Sequence, residues 1–380
     1  MSRPRVLVVA PYFLPSRQGG GSVRALEYLT HHLGAHYEFV LAAGRRDLNG
    51  REDFTDSSCE AARRESGLDI RHLSHGLALP GQLRSLLDER WDLIYLNSLL
   101  SPRFTALPLL LEQGHGRPLL LAPRGEWMPG ALALKRRRKQ AWLLALRALG
   151  ALRSMHWHAT SEEEAAVLRE LDIGPVWLAP DLPPPPPLIP ATAAAPVPVG
   201  PLSIVYLSRI DRKKNLGFLI DALHEVRLPM QLSIYGPVAD AAYWRECQCK
   251  LRGLPAHVQA RYCGELAPAE VLEVLSQHEL FVLPTRGENH GYVVGEALLA
   301  GCNVLVSDQT PWNAYRQDQI LQTFPLQATQ FLARAIDALA SRTPAERRSR
   351  AEAAMTLGRR ALDATPAVQA TRAMFDAVRP

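Results

Sequence analysis

Two trains of short, nearly all apolar runs, each run followed by a longer amphipathic stretch, are separated by a proline-rich break. In the first train the runs are Val6 to Ala10, Glu38 to Ala42, Leu93 to Leu96, Leu119 to Ala122 and Met155 to Ala159. In the second they are Ser203 to Leu207, Gln231 to Tyr235, His257 to Cys263, Leu280 to Pro284 and Asn303 to Ser307. Runs of this length read as strands buried on both faces. The stretches between them supply crossover helices, so each train specifies a parallel sheet covered by helices. Between the trains, Pro180 to Pro201 includes consecutive prolines from Pro183 to Pro187, which remove backbone donors and fix φ, giving an extended, semi-stiff linker. The expected fold is therefore α/β: two Rossmann-like, doubly wound domains facing a cleft. Its parts are an N-terminal domain over 1–182, the linker 183–201, a C-terminal domain over 202–365, and a closing helix over 366–380. Val368, Ala373, Met374 and Ala377 are apolar positions of that last helix.

A length of 380 residues suits two cores rather than one, and 47% hydrophobic with 21% charged residues is a globular composition. The net charge of +5 is modest and its basic residues are interleaved with acids, which does not point to nucleic acid. Five cysteines without framework spacing imply reduced thiols and a cytoplasmic setting. Cys247 and Cys249 lack the second ligand pair that a zinc site needs. His156 and His158 alternate on one face of a strand, again without further ligands, and read as a packed or surface pair. Val6 to Ala10 is too short for a signal-peptide core, and no run of about twenty apolar residues occurs.

Three segments carry chemistry. Gly19-Gly20-Gly21-Ser22 follows the first strand and opens a helix, where glycines let backbone amides approach an anion or a sugar; a plain flexible turn has the same composition. Ser208 to Asn215 follows the strand Ser203 to Leu207. Its Arg209 can grip phosphate oxygens as a fork and its Lys214 offers a compact charge, although a solvated basic loop reads the same way. Arg286 to Leu298 follows the strand Leu280 to Pro284, placing Glu288 in a loop and Glu296 about two turns on, in the next helix. Amides of Asn289, His290 and Gly291 lie at that helix start, and each carboxylate can accept from a diol.

This Glu-x7-Glu spacing resembles that of the retaining GT-B glycosyltransferases, and the chain is similar to a family 4 member over essentially its whole length. The resemblance is strongest from Ser203 to Trp312 and extends to Gly301 through Asp308. It implies transfer of a sugar from a UDP- or GDP-sugar to a glycan or lipid-linked glycan, in bacterial surface polysaccharide or glycoconjugate synthesis. Glu288, Arg209 and Lys214 would then be catalytic. Gly20, Gly21, Arg209, Lys214, Gly264, Leu266, Glu288, Asn289, His290, Gly291 and Glu296 would bind the donor, with Arg209 and Lys214 on the diphosphate, Glu296 on the ribose and Glu288 on the sugar. Anomeric configuration would be retained through front-face attack. No Asp-x-Asp occurs, so no metal or other cofactor is expected, the cations and amides taking the place of an ion.

Arg124-Gly125 stands where many relatives have His-Gly. Arg124 and Asn97 are candidate acceptor contacts, or a structural arginine and an ordinary polar turn. The run Lys135 to Lys139 with Trp142 and Leu143 to Leu146 either rests on anionic lipid, making the protein peripheral on the inner membrane face, or is a solvated helical face. Other readings are a nucleotide-sugar epimerase of the same fold and a non-catalytic nucleotide-sugar-binding protein; a phosphorylase would need a pyridoxal phosphate lysine that is not identifiable.

Overall fold

The computed structural model describes residues 3–16, 20–47, 50, 53–112, 115–127, 142, 144, 155–185, 200–288, 290–316 and 319–379. The chain divides into two units, one of Met1–Pro185 with Ala364–Pro380 and one of Pro186–Asp363.

In the first unit, β1 (Arg5–Ala10) leads to α1 (Gly21–Leu33), β2 (Glu38–Gly44), α2 (Asp56–Ser66), β3 (Asp69–Leu73), α3 (Leu79–Leu87) and β4 (Leu93–Asn97). A π-helical turn, Pro102–Ala106, runs into α4 (Leu107–Leu111), then β5 (Leu119–Ala122), β6 (His156–Ala159), α5 (Glu162–Glu170) and β7 (Val176–Leu178). The seven strands are ordered β3-β2-β1-β4-β5-β6-β7, and β1 pairs in parallel with both β2 and β4, Val8 lying beside Leu41 and Tyr95. Val6 to Val9 are fully buried, as a strand covered on both faces requires. Chain order reverses between β1 and β4, and that switch point is where an open α/β sheet presents loops to a ligand.

The second unit repeats the scheme. It runs β8 (Leu202–Leu207), α6 (Leu216–Leu223), β9 (Met230–Tyr235), α7 (Ala241–Arg252), β10 (Val258–Gly264), α8 (Val271–Ser276), β11 (Leu280–Leu283), α9 (Tyr292–Leu299), β12 (Asn303–Ser307), β13 (Leu321–Phe324), α10 (Thr329–Ala340) and α11 (Pro344–Ala361). Its six strands are ordered β10-β9-β8-β11-β12-β13, with the switch point between β8 and β11. The core is one cluster built from both faces of the sheet, with Tyr206, Phe281 and Phe324 among its largest fully buried side chains.

Strands β3, β7 and β13 are not anticipated by the apolar runs. All three are edge strands: in β3 (Asp69-Ile70-Arg71-His72-Leu73) and β13, with one neighbour only, polar residues are tolerated, and β7 is only three residues long. The last helix, α12 (Thr365–Val378), belongs to the first unit. Its buried residues are Ala367, Thr371, Met374, Phe375 and Val378, whereas Ala373 and Ala377, counted as apolar positions of the helix from sequence, face solvent. Phe375 sets the orientation, because its ring packs against Tyr37, Phe39 and Tyr95, and Tyr37 donates to Asp376 at 2.7 Å. No described helix is long and apolar enough to cross a membrane.

Candidate functional site

At the β8/β11 switch point three loops are tied together by backbone groups. After β8, Asp211 Oδ1 accepts from the Lys214 amide at 2.8 Å, and Asn215 takes the left-handed conformation (φ 61°) that lets α6 start immediately. After β11, the Arg286 amide donates to the Lys213 carbonyl at 2.7 Å, and Thr285 Oγ1 bridges the carbonyls of Lys213 and Gly287. After β12, the Gln309 carbonyl accepts from the Glu288 amide at 3.1 Å. These contacts bring Lys214 to Glu288: the Lys214 ammonium donates to Glu288 Oε1, with both side chains largely buried.

Arg209, in the same loop as Lys214, is half-buried, its carbonyl held by the buried Tyr206 hydroxyl and its guanidinium only loosely matched to Asp211 at 3.8 Å. The Lys213 ammonium is pushed down in pKa, first by desolvation under the neighbouring loops although much of the side chain stays accessible, and next by Lys214. Cationic potential is thus concentrated at the site, with Glu288 and Asp211 opposing it.

Gly291 caps α9 at φ 74°, with no side-chain cap, and its carbonyl accepts from the Val294 amide at 2.9 Å. A Cβ there would lie 3.3 Å from Trp312 Nε1 and 3.4 Å from Glu288 Cγ. Trp312 in turn donates to the His290 carbonyl at 2.6 Å, while the His290 ring sits 4.3 Å from that of Tyr292. Glu296 is buried one turn into α9, at 5% exposure. Asn289 lies outside the described residues.

The loops after β9 and β10 continue the row. The Gly236 amide donates to the Gly264 carbonyl at 2.8 Å, and Tyr262 donates to the Gly236 carbonyl at 2.9 Å, which fixes the Gly264-Glu265-Leu266 turn beside Ser208 and Arg209. At φ 130°, Gly236 presses on the Ser208 carbonyl so closely that a Cβ would stand 2.0 Å from its oxygen. Asp211, Thr285, Gly236 and Trp312 all shape the site and escape a sequence reading. Gly236-Pro237 directly after β9 is the one sequence signal among them, a strand-end turn that needs glycine.

The other expected residues fall in the first unit. Gly20 (φ 58°) is the N-cap of α1, again without a side-chain cap, and Gly21 is its first residue. Arg124, left-handed at φ 55°, donates from Nε to Asn97 Oδ1 at 2.7 Å and from Nη2 to the Tyr95 hydroxyl at 3.0 Å, and pairs through Nη1 with Asp181. Tyr95 also bonds His158 Nδ1 at 2.8 Å, and His158 Nε2 bonds the Ala179 carbonyl at 2.8 Å. Burial pushes the Tyr95 hydroxyl up and, with Arg124 adding, pushes His158 down to about 4, so both are neutral. Sequence thus places Asn97 and Arg124 correctly at strand ends, and the structure adds that they bind each other. His156 accepts from Trp177 Nε1 at 3.0 Å, as a packed imidazole. Residues 135–139, 143, 145 and 146 lie outside the described residues.

Residues 20–179 match the model of the glycosyl transferase 4-like domain, and residues 201–342 match that of glycosyl transferases group 1. No curated protein matches the sequence directly. Among solved structures, Anabaena HepE in complex with UDP and glucose superposes with a TM-score of 0.73 at 14% identity, over 99% of this chain and 100% of that one. Sucrose-phosphate synthase of Thermosynechococcus elongatus gives 0.73 at 18% identity over 99% and 100%. A glycosyltransferase from Rickettsia africae gives 0.70 at 11% identity over 100% and 99%. These likenesses give the two-domain GT-B fold, and the two family models between them span most of the chain. The chain belongs to the GT-B glycosyltransferases of the group 1, family 4 type.

Proposed function

We propose that this enzyme transfers a sugar from a UDP-sugar to a glycan or lipid-linked glycan acceptor, with retention and without a metal. The observation that carries the reading is the convergence of Lys214 with Glu288, beside Arg209 and the N-terminus of α9, at the β8/β11 switch point. Cleaving the anomeric C–O bond loads negative charge onto the departing diphosphate. Arg209, Lys214 and the α9 amides are fixed donors suited to that charge, which is the largest electrostatic assistance such a site can give. Glu288 and His290 take hydroxyls of the transferred sugar, Glu296 takes the ribose, and the Gly264–Leu266 turn takes the base. UDP is favoured over GDP because HepE, of the same fold, was solved with UDP and with UDP-glucose.

The acceptor side is assigned to the β1/β4 switch point of the first unit, where Asn97 and Arg124 lie. Because the Arg124 fork is engaged by Asn97, Asp181 and Tyr95, its role is to shape that floor rather than to move a proton. A lipid-linked acceptor fits the basic and apolar run 135–146, and surface polysaccharide synthesis on the cytoplasmic membrane face is the corresponding setting.

The test is a panel of UDP- and GDP-sugars followed by thermal shift, then release of nucleotide with and without EDTA, with the product examined by NMR. A midpoint raised by UDP-sugars, EDTA-insensitive release and a retained anomeric centre are expected. Inversion, a metal requirement, or a response to GDP-sugars alone would each overturn the corresponding part. Sedimentation with anionic liposomes addresses the membrane reading, and absence of salt-sensitive binding would remove it.

A further inference from the structure

On the second unit, the loops that form the donor site also wall a separate cavity of about 620 Å³, none of whose lining residues is a candidate donor contact. Lys214 turns to Glu288, but Arg212, two residues earlier, turns to α7, where it pairs with Glu246 at 2.5 Å and lies 5.2 Å above the Tyr243 ring. Lys250 pairs with Asp221 at 2.5 Å across the same cavity. Arg286 also lines it, while Glu288, in the same loop, bonds Lys214 at the donor site.

Among the described residues, no carboxylate pairs with the exposed Arg286 guanidinium. The lining therefore holds three cations against two carboxylates, and one guanidinium fork is unmatched. Paired Arg–Glu and Lys–Asp groups keep lone pairs and N–H groups for hydroxyls, and the amides of Gln309 and Gln327 add more. Phe218, partly buried and stacked on Phe324, adds an apolar side chain to the lining for the C–H face of a pyranose. The volume falls in the range of small-ligand sites.

We propose that this cavity binds an acidic sugar, a uronate whose single carboxylate meets Arg286 as a bidentate pair while its hydroxyls meet the two ion pairs. One unmatched guanidinium suits one negative charge, which favours a carboxylate over a phosphate dianion. The site stands apart from the donor reading and does not depend on it.

The experiment is saturation-transfer NMR of the full chain with glucuronate, and with glucose and acetate as controls for ring and charge. Glucuronate should give saturation transfer that exceeds that of both controls, falls about tenfold in Arg286→Ala and in Lys250→Ala, and survives both saturating UDP and the donor-site variant Glu296→Ala. Both cavity residues are exposed, so the variants should keep the wild-type circular dichroism spectrum. No glucuronate transfer in the wild type, transfer unchanged in both cavity variants, or displacement by UDP would overturn the proposal. Loss in Glu296→Ala alone would move the binding to the donor site.

Discussion

Lys214 and Glu288, 74 positions apart in sequence, form an ion pair that closes the gap between the loops after β8 and β11. In the proposed donor site a diphosphate at Lys214 would compete with Glu288 for the same ammonium, tying phosphate binding to the release of a carboxylate for the sugar. Lys214→Met is expected to lower sugar transfer by about two to three orders of magnitude, the scale for removing a fixed donor from a developing charge. Glu288→Gln should keep the fold and still lose activity, measured as nucleotide release. A Lys214→Met enzyme within a few-fold of wild type would exclude the lysine from the chemistry.

Gly236 leaves no room for a side chain. An alanine there would need φ near 130° and would drive its Cβ to 2.0 Å from the Ser208 carbonyl oxygen. The strain of an unfavourable backbone region is about 1–3 kcal/mol, and the clash must in addition shift Ser208 and Arg209. Gly236→Ala should therefore lower the denaturation midpoint and weaken UDP binding together. A variant as stable as wild type with normal UDP affinity would count against the loop arrangement.

Asp181→Ala takes from the buried Arg124 guanidinium the carboxylate it pairs with beside Tyr95, Asn97 and His158. Asp181→Ala is expected to destabilise the chain by about 3–5 kcal/mol, read as a shift in urea midpoint at constant slope. Equal stability would mean that the pair is open to water in solution.

His158 also makes stability depend on pH with a defined sign. Its folded value is about 4, below the ordinary imidazole value, so the folded state binds fewer protons than the unfolded chain between the two. Its contribution is complete above about pH 6.5 and is lost as pH falls from there toward 4. Burial shifts His32, His72, His75, His156 and His278 in the same direction. Urea midpoints should fall from pH 7.5 to pH 5, and His158→Gln should reduce that slope by up to about 1.4 kcal/mol per pH unit. An unchanged slope in the variant would show that His158 titrates normally.

What sequence alone discloses follows from where the information lies. Central strands such as β1, β4, β8 and β11 are apolar on both faces and announce themselves, while edge strands β3 and β13 carry a mixture that loops also carry and β7 is only Val176–Leu178. Glu288 and Glu296 are legible because a strand precedes them and eight positions of loop and helix separate them. The Arg124 network is not, because its partners stand at Tyr95, Asn97, His158 and Asp181 and only the parallel order β4-β5-β6 brings them together. The same holds for Arg286, which sits two residues before Glu288 yet lines a different cavity.

Calorimetric titration of UDP and a UDP-sugar into wild type, Arg209→Ala, Lys214→Met and Glu296→Gln tests the donor site most directly. Each substitution is expected to weaken UDP by about tenfold or more, the worth of one charge-assisted contact. Equal UDP affinity in all four proteins would contradict placement of the nucleotide diphosphate at the β8/β11 switch point.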